Sequence, residues 1–323
     1  MAAIKNLKEL MVKFQDEQTC RDYLVQHRWG GTPICPYCGC NRSYKIENGK
    51  RFKCANKECH KKYSVTVGTV AQDTNISLCT WFAAIYLISA HKKGISSVQL
   101  GKDLGIAQKT AWFMLHRIRE SMRTKSFPFM TSKEVEADET YMGGKEANKH
   151  VDKRSKDADG NYVDCKAPVM GVIIPGGEVR TKVVDDVTKA NATEFILSNV
   201  KQGVTLVTDA HPSYHKVGKK FEHVIVNHKE KVYKFEGHTT NHIENYWSIL
   251  KRGIYGIYHQ VSVKHLQAYC DEFAYRFNTR KIADSERFEL TLCRLEGSLP
   301  YKTLTAKPSK YGAGKEIEET PEE

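Results

Sequence analysis

No apolar run in this 323-residue chain is long enough to cross a bilayer. A spanning helix needs about 20 predominantly apolar residues. The longest run, Leu78 to Ala90, is shorter and is interrupted by Thr80 and Ser89, so it reads as a buried helix. The opening residues, MAAIKNLKEL, mix charge with apolar side chains and lack the apolar core and cleavage site of a secretory signal. A soluble intracellular protein with no membrane partner is therefore expected. No internal repeat is found. Acid is also in short supply, with 38 Asp and Glu against 50 Lys and Arg, a net charge of +12. That balance favours polyanionic partners over acidic small molecules. Half of the excess lies between Trp81 and Lys125, where eight cations meet only Asp103 and Glu120.

The length suits two or three modules at about 100 to 200 residues each. Residues 1–30 read as one short amphipathic helix, with Leu7, Leu10, Met11 and Phe14 at helical intervals and Gly30-Gly31 as the breaker. A compact segment over 31–70 carries Cys35-Pro36-Tyr37-Cys38 and Cys54-Ala55-Asn56-Lys57-Glu58-Cys59. Two such pairs fit one tetrahedral zinc ion, each closing a tight knuckle on one side of it. A segment this small, with few apolar residues, needs such an ion to fold. Cys35, Cys38, Cys54 and Cys59 are the expected ligands of one structural Zn²⁺, with His60 and Cys40 as alternatives. The remaining cysteines are scattered, the pattern of ordinary thiols in a reducing compartment.

Residues 71–128 read as helical, divided by Gly94 and Gly105 and closed by Phe127-Pro128. Ser96 to Ile106 gives a short helix capped by serine and stopped by glycine, and Ala107 to Arg119 restarts as a second. Ala111, Met114, Leu115 and Ile118 would face the core, with Gln108, Lys109, Thr110 and Arg117 outward. A basic, amide-bearing second helix is what a major-groove reader needs. DNA contacts are expected from Lys102, Gln108, Lys109, Thr110 and Arg117, and from Arg252 further on.

Beyond residue 129 the periodicity becomes extended. Strands are expected over Val135 to Met142, Val169 to Ile174 and Glu178 to Val184. A helix at Ala190 to Val200, strands at Val204 to Thr208 and His223 to Val226, and a long helix then follow. The polar insert between Gly143 and Ala167 reads as a mobile loop. Residues 286–323 read as a C-terminal tail, disordered from Lys307 onward. Asp138 lies in the first strand and Asp209 follows the buried run before it, where a carboxylate opens into a ligand crevice. In the late helix, 241, 244, 248, 251 and 255 form a polar stripe opposite Ile243, Trp247, Leu250 and Ile254. Glu244 and Lys251 therefore share a face. Close carboxylates raise one another's pKa values, so bound cations would be needed to keep Asp138, Asp209 and Glu244 ionised.

VEADETYMGG, LVTDAHPSY and HIENYWSILKRGIYGIYHQVSVKHLQAYCDEFAYRFNTR resemble the three catalytic blocks of the Merlin-related bacterial insertion-sequence transposases, the ISXO2-like family. The resemblance runs from about Trp29 to Arg280 and is most specific in the third block. It implies an α/β fold: an RNase H-like domain over 129–285, a mixed sheet flanked by helices, preceded by a zinc ribbon and a helix-turn-helix. It further implies DDE roles for Asp138, Asp209 and Glu244, with two Mg²⁺ or Mn²⁺ ions and Lys251 as the accompanying lysine. The expected partners are the element's terminal inverted repeats and target DNA, bound by a homodimer or larger assembly at the bacterial nucleoid. Some relatives carry Asn in place of the Glu; this chain keeps it. The rival readings are a DNA-binding regulator with an inactive second half, and a nuclease acting on RNA or junctions.

Overall fold

The computed structural model describes residues 4–123, 129–144, 150–154, 160, 166–227, 235 and 237–306. The Phe127-Pro128 step, most of the insert between Gly143 and Ala167, and the tail from Lys307 lie outside the described residues.

The N-terminus forms two helices where one was expected, α1 (Leu7–Lys13) and α2 (Glu17–Trp29). The break is chemical, because the Asp16 carboxylate accepts from Thr19 N at 2.9 Å and caps a new helix. Leu10 and Phe14 enter the core while Leu7 and Met11 stay exposed. Strands β1 (Ser43–Ile46), β2 (Arg51–Cys54) and β3 (Lys62–Tyr63) follow as a small antiparallel sheet. Three helices come next: α3 (Leu78–Ala90), α4 (Ser97–Leu104) and α5 (Gln108–Met122). The Ser96 hydroxyl caps α4 at Gln99 N, and Gly105, at φ +65°, ends it in the left-handed region.

The second half contains strands β4 (Glu134–Met142), β5 (Ala167–Ile173) and β6 (Val179–Val183), helix α6 (Lys189–Asn199), β7 (Thr205–Asp209), the short α7 (His215–Gly218) and β8 (Glu222–Val226). The strand order is β6-β5-β4-β7-β8, antiparallel as far as β4 and parallel from there to β8. Helix α8 (Asn241–Gly253) runs into a π-helical turn, Ile254–Tyr258, and then α9 (Val263–Asn278). Residues along β5 alternate between two cores. Val169 and Ile173 pack with Ile243, Trp247 and Leu250 of α8, whereas Met170 and Val172 pack with Ala192, Phe195 and Ile196 of α6. The result is the RNase H-like arrangement of a mixed sheet between helical layers.

Residues 284–306 are not tail, since they form α10 (Asp284–Cys293) and α11 (Tyr301–Thr305). Phe288 and Leu292 of α10 join the core built by α1, α2 and α3, so the chain returns to its own N-terminal half. A buried charge network joins the halves from the other side. Glu272 of α9 accepts from Arg119 of α5 at 2.6 Å, from Arg276 at 2.6 Å and from the Tyr258 hydroxyl at 2.7 Å. The Arg119 guanidinium lies 4.0 Å from the centre of the Tyr269 ring. Burial alone would push the Glu272 carboxyl up, but the two guanidiniums outweigh it and hold it at about 2, below its ordinary 4.5. A depressed carboxyl stabilises the fold above its unfolded pKa and loses that contribution as pH falls toward the folded value. This part of the stability is accordingly expected to disappear between about pH 4.5 and about pH 2. Glu272→Gln, which leaves two guanidiniums buried without their anion, is expected to cost about 3–5 kcal/mol at neutral pH. Denaturant melts of both proteins across that range check it, and a variant as stable as the parent at pH 7 contradicts it.

Candidate active site and zinc centre

Strand β4 carries four acids, Glu134, Glu136, Asp138 and Glu139, the last three close to α8 and β7. Glu136, fully buried, points toward α8, where its carboxylate accepts from Ile243 N at 3.0 Å and lies 2.6 Å from His242 Nδ1. The Thr240 side chain at the N-cap position does not cap α8, so Glu136 supplies a cap from across the layer. Burial pushes the Glu136 carboxyl up, and these bonds offset part of that.

Asp138 shares that face. It stands opposite Gly171 of β5, where a Cβ would meet the Trp247 ring at 2.5 Å. The missing side chain lets the indole lie on the sheet, and its Nε1–H donates to Asp138 Oδ2 at 3.0 Å. The last paired residues of the parallel β4 and β7 are Ala137 and Thr208, so Asp138 and Asp209 come next on adjacent strands. Glu139 faces the other layer, where the Tyr214 hydroxyl donates to it at 2.7 Å and His211 Nε2 stands 3.8 Å away. Oxygens of Asp138, Glu139 and Asp209 all lie within 4.8 Å of one another. Burial first, then the charges of Glu139 and Asp209, push Asp138 up to about 7. Burial and Asp209 likewise raise Glu139, against the Tyr214 hydrogen bond. A crowded set of hard oxygen donors whose charges oppose one another fits a divalent cation.

Two of the three expected acids, Asp138 and Asp209, are thus together, with Glu139 beside them. Glu244 is exposed on the first turn of α8, where its carboxylate accepts from the Thr240 hydroxyl at 3.0 Å. It is one turn before Trp247, the residue that touches Asp138. The expected stripes of α8 are present: Ile243, Trp247, Leu250 and Ile254 are buried, and Asn241, Glu244, Ser248 and Tyr255 are exposed, with Lys251 half-buried. Two sequence signals pointed to Glu139, its adjacency to Asp138 and Tyr214 in the second block. Both need the fold to be read.

Of the residues assigned to DNA, Lys102, Gln108 and Lys109 are exposed and Thr110 is half-buried. Arg252 is exposed at the last turn of α8 and donates to Ser248 O at 3.1 Å. Arg117 does not face outward as expected: it is only 7% exposed, donates to the Gln72 carbonyl and stacks between Trp81 and Phe113 at 5.4 and 5.2 Å. One turn beyond Met114 and next to Ile118, it lies on the inward side of α5. His238 and His242, spaced like a metal pair, are each 2.6 Å from a carboxylate instead, Glu134 and Glu136.

The sulfurs of Cys35, Cys38, Cys54 and Cys59 form a second group within 4.8 Å. Cys35 and Cys59 Sγ are 3.8 Å apart, and Cys38 and Cys54 Sγ 3.5 Å. A tetrahedron with zinc–sulfur bonds of about 2.3 Å has edges of about 3.8 Å, so the four thiolates fit structural zinc. The first knuckle closes through Gly39 N to Cys35 O and Cys35 N to Cys40 O, both 2.9 Å. Cys59, not its exposed neighbour His60, completes the set.

Residues 130–278 match the ISXO2-like transposase domain, and residues 15–62 match the transposase zinc-ribbon domain. A curated relative, an uncharacterized protein in transposable element ISH50 of Halobacterium salinarum, is 24% identical over 213 residues, covering 62% of this chain and 70% of the relative. Among solved structures, a Mos1 transposase paired-end complex with the left transposon end is 13% identical, covers 67% of this chain and 79% of its own, and superposes with a TM-score of 0.21. A pre-cleavage Mos1 transpososome is 10% identical, with coverages of 64% and 76% and a TM-score of 0.19. Both domain matches, the four-thiolate knuckle and the carboxylates on adjacent strands agree: the chain carries an ISXO2-like transposase domain behind a transposase zinc ribbon.

Proposed function

We propose that the protein binds the terminal inverted repeats of its own insertion sequence, cleaves phosphodiesters at the element's ends and joins them to target DNA. The observation that carries this is the carboxylate group of Asp138, Glu139 and Asp209 on adjacent parallel strands of the transposase domain. Asp138 and Asp209 would hold two Mg²⁺ or Mn²⁺ ions, with Glu244 as the third acid and Glu139 as a flanking one. Such ions, when bound, acidify an attacking water or 3′-hydroxyl and neutralise charge on the leaving oxygen. Trp247 fixes the Asp138 carboxylate through its N–H. Lys251, on the face of α8 that bears Glu244, anchors the phosphate. Lys102, Gln108, Lys109 and Thr110 of the α4–α5 hairpin contact the repeat, with Arg252 on nearby backbone. Joining two ends requires at least a dimer on DNA.

Asp138→Asn, Asp209→Asn and Glu244→Gln should each lower Mg²⁺-dependent strand transfer on an end-containing duplex by on the order of 100-fold or more. Retained transfer in any of them, with duplex binding intact in a shift assay, removes that residue from its role. Trp247→Phe keeps the ring and loses the N–H. The Mg²⁺ concentration for half-maximal cleavage should then rise on the order of tenfold, the scale of losing a partner that orients a ligand. An unchanged requirement sinks the positioning role. Elemental analysis should find one zinc per chain, and Cys38→Ser should lose it together with ordered structure around 35–63. Substoichiometric zinc in the folded parent would falsify the centre.

A further inference from the structure

We propose that the outer face of the zinc ribbon, a row of Tyr44, Lys53 and Lys62 across its three strands flanked by Arg51, docks on the phosphate backbone of duplex DNA. This rests on the protein's being a DNA-binding transposase and assigns a surface that the α4–α5 hairpin does not provide.

Charge places the surface here. Between Arg42 and Lys62 there are eight cations against Glu47 and Glu58, a net +6 in a short span. All eight are exposed: Arg42, Lys45, Lys50, Arg51, Lys53, Lys57, Lys61 and Lys62. Among the described residues, only Arg51 of these has an acidic partner, Glu47 at 3.7 Å. The helical region lost part of its expected charge to the interior, since Arg117 and Arg119 are buried. The ribbon is therefore the denser basic surface.

Register makes it a row. Tyr44 pairs with Lys53 across β1 and β2, and Lys53 with Lys62 across β2 and β3. Directly opposed residues share a face, so the three side chains line up on strands about 4.8 Å apart. Arg51 lies two residues from Lys53 on the same face, opposite Ile46. The other face is anchored, because Phe52 and Tyr63 lie 5.5 Å apart and each meets Trp29 edge-on near 6 Å, at 6.1 and 5.9 Å. The outer row thus stands on a rigid platform, with Tyr44 62% exposed.

Two lysines directly across an antiparallel pair repel each other, an arrangement that destabilises a sheet. Neither has an acid to relieve it among the described residues. A polyanion does relieve it. Lysines on flexible stems suit phosphate oxygens as point charges, and a tyrosine hydroxyl can donate to the same oxygens, whereas base edges call for bidentate Arg, Asn or Gln. The face would supply position and affinity, leaving sequence reading to α4–α5.

The test uses the full-length, zinc-loaded protein and its Lys53→Gln/Lys62→Gln double variant. Binding is measured to a duplex carrying the element's end and to a scrambled duplex over a series of salt concentrations. The variant should lose affinity for both duplexes by the same factor. The slope of log K against log salt should shrink by about 1.8, since each phosphate contact contributes about 0.9. Its melting temperature should hold or rise because a like-charge pair is gone, and Lys53→Arg/Lys62→Arg should keep the parental slope. An unchanged slope overturns the proposal, as does a loss confined to the element-end duplex. If the parent binds neither duplex, the transposase reading itself falls.

Discussion

Strand β4 holds three carboxylates within four residues, and the packing around the site is the set of devices that keeps them there. Glu136 is used as a helix cap, Asp138 is held by an indole N–H, and Glu139 is held by a buried phenol. Alternation along the strand sends the middle acid to the same layer as the first and the third to the opposite one. Each layer therefore contributes one fixed donor to the acidic site. What remains uncompensated is the mutual repulsion of Asp138, Glu139 and Asp209, which together with burial raises the Asp138 carboxyl. Cations are the natural answer to that residue of charge.

Helix α8 is built to serve the same strand. Its apolar stripe lies on β5, and Gly171 leaves the space in which Trp247 can reach Asp138. Beyond it, the π-helical turn brings Tyr258 to the Glu272 network, which is tied in turn to Arg119 of α5. The helix bearing Glu244 and Lys251 is thus connected through a few buried polar contacts to the hairpin assigned to DNA. Helix α10 closes a second join by packing into the N-terminal core. The N-terminal modules and the transposase domain are consequently held together by more than a linker.

The distribution of positive charge differs from its distribution along the chain. Counting by sequence put the weight between Trp81 and Lys125, but two of those arginines are structural: one stacks between aromatic rings, the other neutralises Glu272. The exposed cations cluster instead on the ribbon, whose single small core spends its few apolar residues on one face. Charge counts measure composition; only burial says which charges meet a partner molecule.

Much of this molecule is determined by interactions a few residues long, and those features were legible in the sequence. The knuckle spacing of Cys35, Cys38, Cys54 and Cys59, the Ser96 cap, the Gly105 stop, the polar stripe of α8 and the succession of strands and helices along the chain all depend on local geometry. Asp16 is a further local signal, the cap that separates α2 from α1. Tertiary structure decided the rest. Glu139 enters the acidic group because Asp209 and Tyr214 arrive from elsewhere in the chain. Arg117 turns inward because Gln72 and Trp81 wait for it, and residues 284–295 fold because α3 offers them an apolar face. In each case the partner is distant in sequence, so no periodicity or spacing could carry the information.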